Sequence, residues 1–124
     1  MARRHEGESV VGTGIDPSTY TGLAVVGADW RKTRLVHVKT AKGLHRVQLI
    51  AQQVRDFVGE NTEENGVVCI EGYAYGNVHT LVTLVEIGTA IRLGLRDLKI
   101  QLYDVPPTVL KRFATGKGNA KKAD

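Results

Sequence analysis

The stretch VVGTGIDPSTYTGLAVV, residues 10–26, sets two apolar runs on either side of a single carboxylate, Asp16. β-branched residues crowd the first run, and Asp16-Pro17 ends it abruptly, as a strand ends in a turn. The second run, from Thr21, reads as a second strand. A lone acid in that place has two readings. It forms the turn before Pro17, or it stands at the rim of a sheet to hold a metal ion or a phosphate.

Downstream, GADWRKTR carries turn signals, and RLVHVKT (34–40) alternates apolar and polar residues like a half-exposed third strand. Links this short favour an antiparallel meander. The period then changes. Val47, Ile50, Ala51, Val54, Phe57 and Val58 follow helical spacing over residues 44–58, with Gly59 placed to stop the helix. VVCIE (67–71) is a continuous apolar run, the pattern of a central strand covered on both faces. Residues 77–94 form a second helix that is apolar round most of its circumference. A surface helix would show a stripe, so this one needs a second cover beyond the sheet. KIQLYDV is a last strand, and PPTVLKRFATG opens a third helix with proline at its start.

The order β-β-β-α-β-α-β-α gives an α/β fold: a mixed five-stranded sheet with helices on both faces. Residues 1–9 are expected to be a flexible terminus, and residues 10–124 a single domain. A right-handed crossover lays strand 67–71 parallel to strand 10–16. If they are neighbours, Asp16 and Glu71 end adjacent strands at a backbone separation of about 5 Å. Two ionised carboxylates so placed repel, and a divalent cation relieves the repulsion. Mg²⁺ accepts one or two carboxylates together with water and phosphate oxygens. The plainer alternative, a turn-capping Asp16 and a solvated Glu71, stays open from spacing alone.

The chain has 124 residues, of which 42% are hydrophobic, enough for one ordinary core. No apolar run is long enough to span a bilayer, and MARRHEGES lacks the apolar segment of a secretory signal. Cys69 is the one cysteine and is expected to be a buried strand thiol, which fits a reducing cytoplasm. The net charge of +4 is carried from Lys111 onward, where Lys111, Arg112, Lys117, Lys121 and Lys122 face only Asp124. Residues 1–110 hold twelve basic and twelve acidic groups. Clustered cations point to a polyanion partner. His5, His37, His45 and His79 share no zinc-ligand spacing, and neither a GxSxG elbow nor a P-loop is present.

GIDPSTYTGLAVV, then VVCIEGYAYG, then PPTVLKRFATGKGNAKK, in that order, resemble the RuvC family of Holliday-junction resolvases, bacteriophage versions included. The resemblance runs over nearly the whole chain. It implies a ribonuclease H-like fold, a homodimer built on helix 77–94, and Mg²⁺- or Mn²⁺-dependent cutting of four-way DNA junctions in recombination, repair or phage DNA processing. It implies that Asp16 and Glu71 are the first two metal ligands. Tyr73 or Tyr75 would stack near the crossover bases. Lys111 and Lys122 would contact the DNA backbone and aid catalysis, with Arg112, Lys117 and Lys121 alongside.

The same resemblance implies further aspartates on a closing helix beyond Asp124, for which Asp124 and Glu86 are poor substitutes. Residues 1–124 are therefore expected to fold, dimerise and bind branched DNA, but to cut it slowly or not at all. The rival expectations are a branched-DNA-binding dimer that does not cut, and a ribonuclease H-like nuclease acting on RNA or flaps.

Overall fold

The structure, a computed structural model, describes residues 10–72 and 78–106. Strand β1 (Val10–Asp16) pairs antiparallel with β2 (Thr21–Gly27), and β2 with β3 (Arg31–Val36). Helix α1 (Gly43–Asn61) then carries the chain across to β4 (Gly66–Glu71), which runs parallel to β1. Helix α2 (Val78–Leu95) leads to β5 (Ile100–Val105), parallel to β4. The strand order is β3-β2-β1-β4-β5, so β1 is the centre of the sheet.

The two-residue period of a strand sends alternate side chains to opposite faces, and here it separates core from site. Thr13 and Ile15 align with Val25 and Leu23 on one side and with Val68 and Ile70 on the other. All six are at most 2% exposed. Ile50, Val54, Phe57 and Val58 of α1 and Ile87, Ile91 and Leu95 of α2 join this layer in one apolar core. Both described helices thus cover the same face. Of these six only Thr13 carries a hydroxyl, and it meets the Thr62 hydroxyl at 3.1 Å. Removing that partner would leave a buried polar group uncompensated.

The meander differs from expectation at its third strand, which begins at Arg31 and ends at Val36 instead of covering residues 34–40. Pairing decided this over alternation. β2 begins at Thr21, and the hairpin register sets Thr21 opposite Val36 and Val26 opposite Arg31. The turn is confined to Ala28–Trp30, closed by the Gly27 amide donating to the Trp30 carbonyl at 2.9 Å. The Trp30 ring lies where a side chain on Gly27 would stand, its Nε1 only 2.0 Å from an added Cβ. Gly59 does not end α1, which runs on to Asn61. The backbone leaves the helix at Thr62, whose amide still donates to the Val58 carbonyl at 2.9 Å.

The other face of the sheet is not covered by any described helix. Strand β4 was expected to be enclosed on both sides, yet Val67 is 37% exposed and Cys69 half-buried. Their odd positions put them opposite Val68 and Ile70. The third helix expected from residue 106 onward lies outside the described residues.

Candidate metal centre and its surroundings

The β1–β4 ladder aligns Gly14 with Cys69 and Ile15 with Ile70. One step further the same register brings Asp16 beside Glu71. Being in register on parallel neighbours, the two side chains leave the sheet on the same side, the face that α1 and α2 do not cover. Neighbouring strands stand about 4.8 Å apart. Glu71 is only 7% exposed and Asp16 is half-buried. A carboxylate as buried as Glu71 is uncommon and requires compensation from polar or charged neighbours.

Strand pairing and the turn after Asp16 fix this pair. On the β2 side Asp16 aligns with Gly22, and a Cβ added there would touch the Asp16 Cβ at 3.7 Å. Glycine therefore places no β2 side chain against Asp16. On the β5 side Glu71 aligns with Val105, and the next amide, Gly72, donates to the Val105 carbonyl at 2.7 Å. The turn after Asp16 is held by Ser18 and Thr21. Ser18 Oγ accepts the Tyr20 amide at 2.9 Å, and Thr21 Oγ1 donates to the Ser18 carbonyl at 2.6 Å.

Two hard oxygen donors at fixed strand ends suit Mg²⁺ or Mn²⁺. Among the described residues no group of three or more histidine, cysteine, aspartate or glutamate side chains could hold a metal ion. Glu86 is exposed on α2, on the helix-covered side of the sheet, so it does not complete the pair. Cys69 precedes Glu71 by two residues, and burial pushes its thiol pKa up, away from nucleophilic use. Tyr73, Tyr75, Lys111, Arg112, Lys117, Lys121, Lys122 and Asp124 lie outside the described residues.

Two features of this rim escaped the sequence reading. Tyr20 stacks on His37 with ring centroids 3.9 Å apart, and Tyr20 is 55% exposed. The second feature is a charge separation hidden inside the neutral total for residues 1–110. From residue 30 to 55 the chain carries seven lysines and arginines and no acid, and from 56 to 72 it carries five acids and no lysine or arginine. Windowed charge would have shown the second feature. The stack joins residues seventeen apart, and only the hairpin register brings them together.

No protein-family model matches the chain, and no curated protein matches it in sequence. Solved structures do. T. thermophilus RuvC in complex with a Holliday junction substrate superposes with a TM-score of 0.71 at 22% identity, covering 93% of this chain and 74% of that one. A second T. thermophilus RuvC structure gives a TM-score of 0.60 at 25% identity over the same shares. The fold is RuvC-like, an α/β mixed sheet of the ribonuclease H-like kind. No helix among the described residues is long and apolar enough to cross a membrane.

Proposed function

We propose that this chain is a metal-dependent endonuclease that acts on four-way DNA junctions as a homodimer. The observation that carries the reading is the alignment of Asp16 with Glu71 at the ends of the two central parallel strands of a RuvC-like sheet. Asp16 and Glu71 would hold Mg²⁺ or Mn²⁺, which supplies Lewis-acid polarisation of a phosphodiester and an activated water. The protein's own contribution is positional. Strand pairing on both sides of each carboxylate fixes where the ion and the phosphate meet, and catalysis of this kind is sensitive to misplacement by an ångström.

The dimer rests on α2. Ile87, Ile91 and Leu95 face the core, while Val82, Val85 and Leu93 are 52%, 38% and 62% exposed. Beside them an open groove of about 710 Å³ runs between α1 and α2, lined by Leu44, Val47, Ala51, Ala90 and Leu93. This apolar surface is what a second copy of the helix would cover, in a self-complementary contact.

A second reading has one observation in its favour. With only two carboxylates together among the described residues, a second metal would be poorly held. The protein would then be a dimer that binds branched DNA without cutting it. Adding Mg²⁺ to a complex formed in chelator, on a four-way junction and on the matching linear duplex, separates the two. Nicks near the crossover that vanish in Asp16→Asn support the nuclease. Junction-selective binding without nicks supports the binding dimer, and equal affinity for junction and linear duplex defeats both.

A further inference from the structure

Strand β3 is an edge strand with five of its six residues exposed. Edge strands are commonly blunted by charge to prevent pairing with another chain, and Lys32 and Arg34 do that. The charge does not stop with the strand, however. Lys39 and Lys42 continue it through the exposed loop, and Arg46 carries it into the first turn of α1. Lys32, Arg34, Lys39 and Lys42 pair with no carboxylate among the described residues.

The start of α1 is built against its own interest. The positive end of a helix dipole favours acids in the first turn. α1 has none there, its Lys42 N-cap makes no side-chain capping hydrogen bond, and Arg46 adds like charge. The Arg46 Nε is buried without a hydrogen-bond partner among the described residues. Buried donors are nearly always satisfied, and an exception calls for an unseen acceptor. An external anion over the exposed start of α1 would answer the charge, whereas the Arg46 Nε is closed to solvent and so to such an anion.

The Tyr20–His37 stack ties this ribbon to the metal end of the sheet. His37 follows β3 directly, and Tyr20 sits in the turn between Asp16 and β2. The turn is ordered by the Ser18 and Thr21 hydroxyls, so the exposed ring is presented with little entropy left to lose. From Arg31 to Val36 the strand extends about 17 Å, the rise of about five phosphates along one DNA strand.

We infer that the β3 edge and the loop into α1 form a second DNA-binding track, distinct from the basic segment after Lys111. Lys32 and Arg34 are in register with Val25 and Leu23 and so leave the strand on the helix-covered side. A duplex arm lies along that side of the edge, and Tyr20 packs against a sugar or base where the DNA strand passes round the edge to the face of Asp16 and Glu71. The inference rests on the reading of the chain as a DNA-junction protein.

The test uses the full chain in Ca²⁺ or chelator, so that cutting does not interfere, and reads junction affinity against salt. Lys32→Ala/Arg34→Ala/Lys39→Ala should flatten the salt slope by about 0.9 per lost phosphate contact, nearly three in all. Tyr20→Ala should weaken binding about tenfold, and Tyr20→Phe should restore it because the ring is what stacks. Circular dichroism checks that these surface variants remain folded. Arg34→Lys, which keeps the charge, should keep the slope. A folded triple variant with unchanged slope and affinity overturns the track while leaving the junction reading intact. Failure of the wild-type chain to bind DNA overturns both.

Discussion

Ile15 and Asp16 are neighbours in sequence and belong to opposite sides of the sheet. Ile15 is fully buried beneath α1 and α2, between Leu23 and Ile70. Asp16 points to the other face, between Gly22 and Glu71. The helix-covered face is filled with branched apolar side chains, and it holds the fold. The other face is laid out with Gly12, Gly14, Gly22 and Ala24 around two carboxylates, and among the described residues it adds little to the apolar core. A strand can thus serve stability and chemistry at successive residues, and damage to one should leave the other nearly untouched.

The sharpest way to break that division is to mutate across it. Asp16→Asn should lower junction cleavage by at least about a hundredfold, since loss even of a ligand's supporting partners costs up to that much. Its midpoint in urea should stay close to that of the parent, because neutralising one of two adjacent carboxylates removes repulsion in the metal-free protein. Ile15→Ala should do the reverse. Deleting a fully buried branched side chain costs about 2–5 kcal/mol through lost transfer energy and the cavity left behind. Below its unfolding transition that variant should still bind junctions. If Asp16→Asn unfolds the chain, or if Ile15→Ala abolishes cutting while folded, the two faces are not independent.

The covered face was the more legible of the two. Its positions follow periods that burial imposes, so the helical spacing of Ile50, Val54 and Phe57 and the apolar runs of β1 and β4 pointed to the right elements. The parallel pairing of β1 with β4 followed from the handedness of one crossover. Errors arose where a single residue was asked to decide a boundary. Gly59 costs a helix about 1 kcal/mol relative to alanine. The burial of Phe57, Val58 and Asn61 around it outweighs that penalty. The third strand slipped three residues because alternation in RLVHVKT looked stronger than a register set by its partner. The carboxylate pair was legible as two strand ends, whereas the Tyr20–His37 stack was not, because nothing in either residue announces the other.

A smaller effect should come from the outer surface of α2, which contrasts with the exposed surface of α1. Asp56 and Glu60 are exposed on α1, whereas Val82 and Val85 are exposed on α2. Val85→Asp places a charge in the proposed contact and should raise the dimer dissociation constant about tenfold or more. Sedimentation at micromolar concentration should then show the 13.5 kDa species gaining at the expense of the dimer. Val85 is not part of the buried core, so the monomer should keep its fold. A wild-type chain that is monomeric throughout this range would remove α2 as the interface.

The least effect is expected where the two helices are tied together on the surface. Arg55 of α1 donates to the Gly94 carbonyl near the end of α2 and to both carboxylate oxygens of Asp97 just beyond it. The hydrogen bond from Arg55, more than its charge, holds the Asp97 carboxyl below its usual range and raises the guanidinium. Both side chains are substantially exposed, at 38% and 73%, so solvent and salt screen most of the interaction. The sign is nevertheless definite. A carboxyl whose pKa is lower folded than unfolded adds stability above its unfolded value and loses it as pH falls through the folded one. Asp97→Asn should therefore lower the urea midpoint slightly at pH 7. That gap should close as the pH is taken below about 4, the ordinary range for an aspartate. It should also shrink in molar salt at pH 7. Glu64 and Lys99, an exposed pair 3.5 Å apart, make the control, since Glu64→Gln should change the midpoint less than Asp97→Asn. A difference for Asp97→Asn that persisted undiminished into acid would mean that the carboxamide disturbs packing between α1 and α2, and that the Arg55 bridge is not the source of the stability.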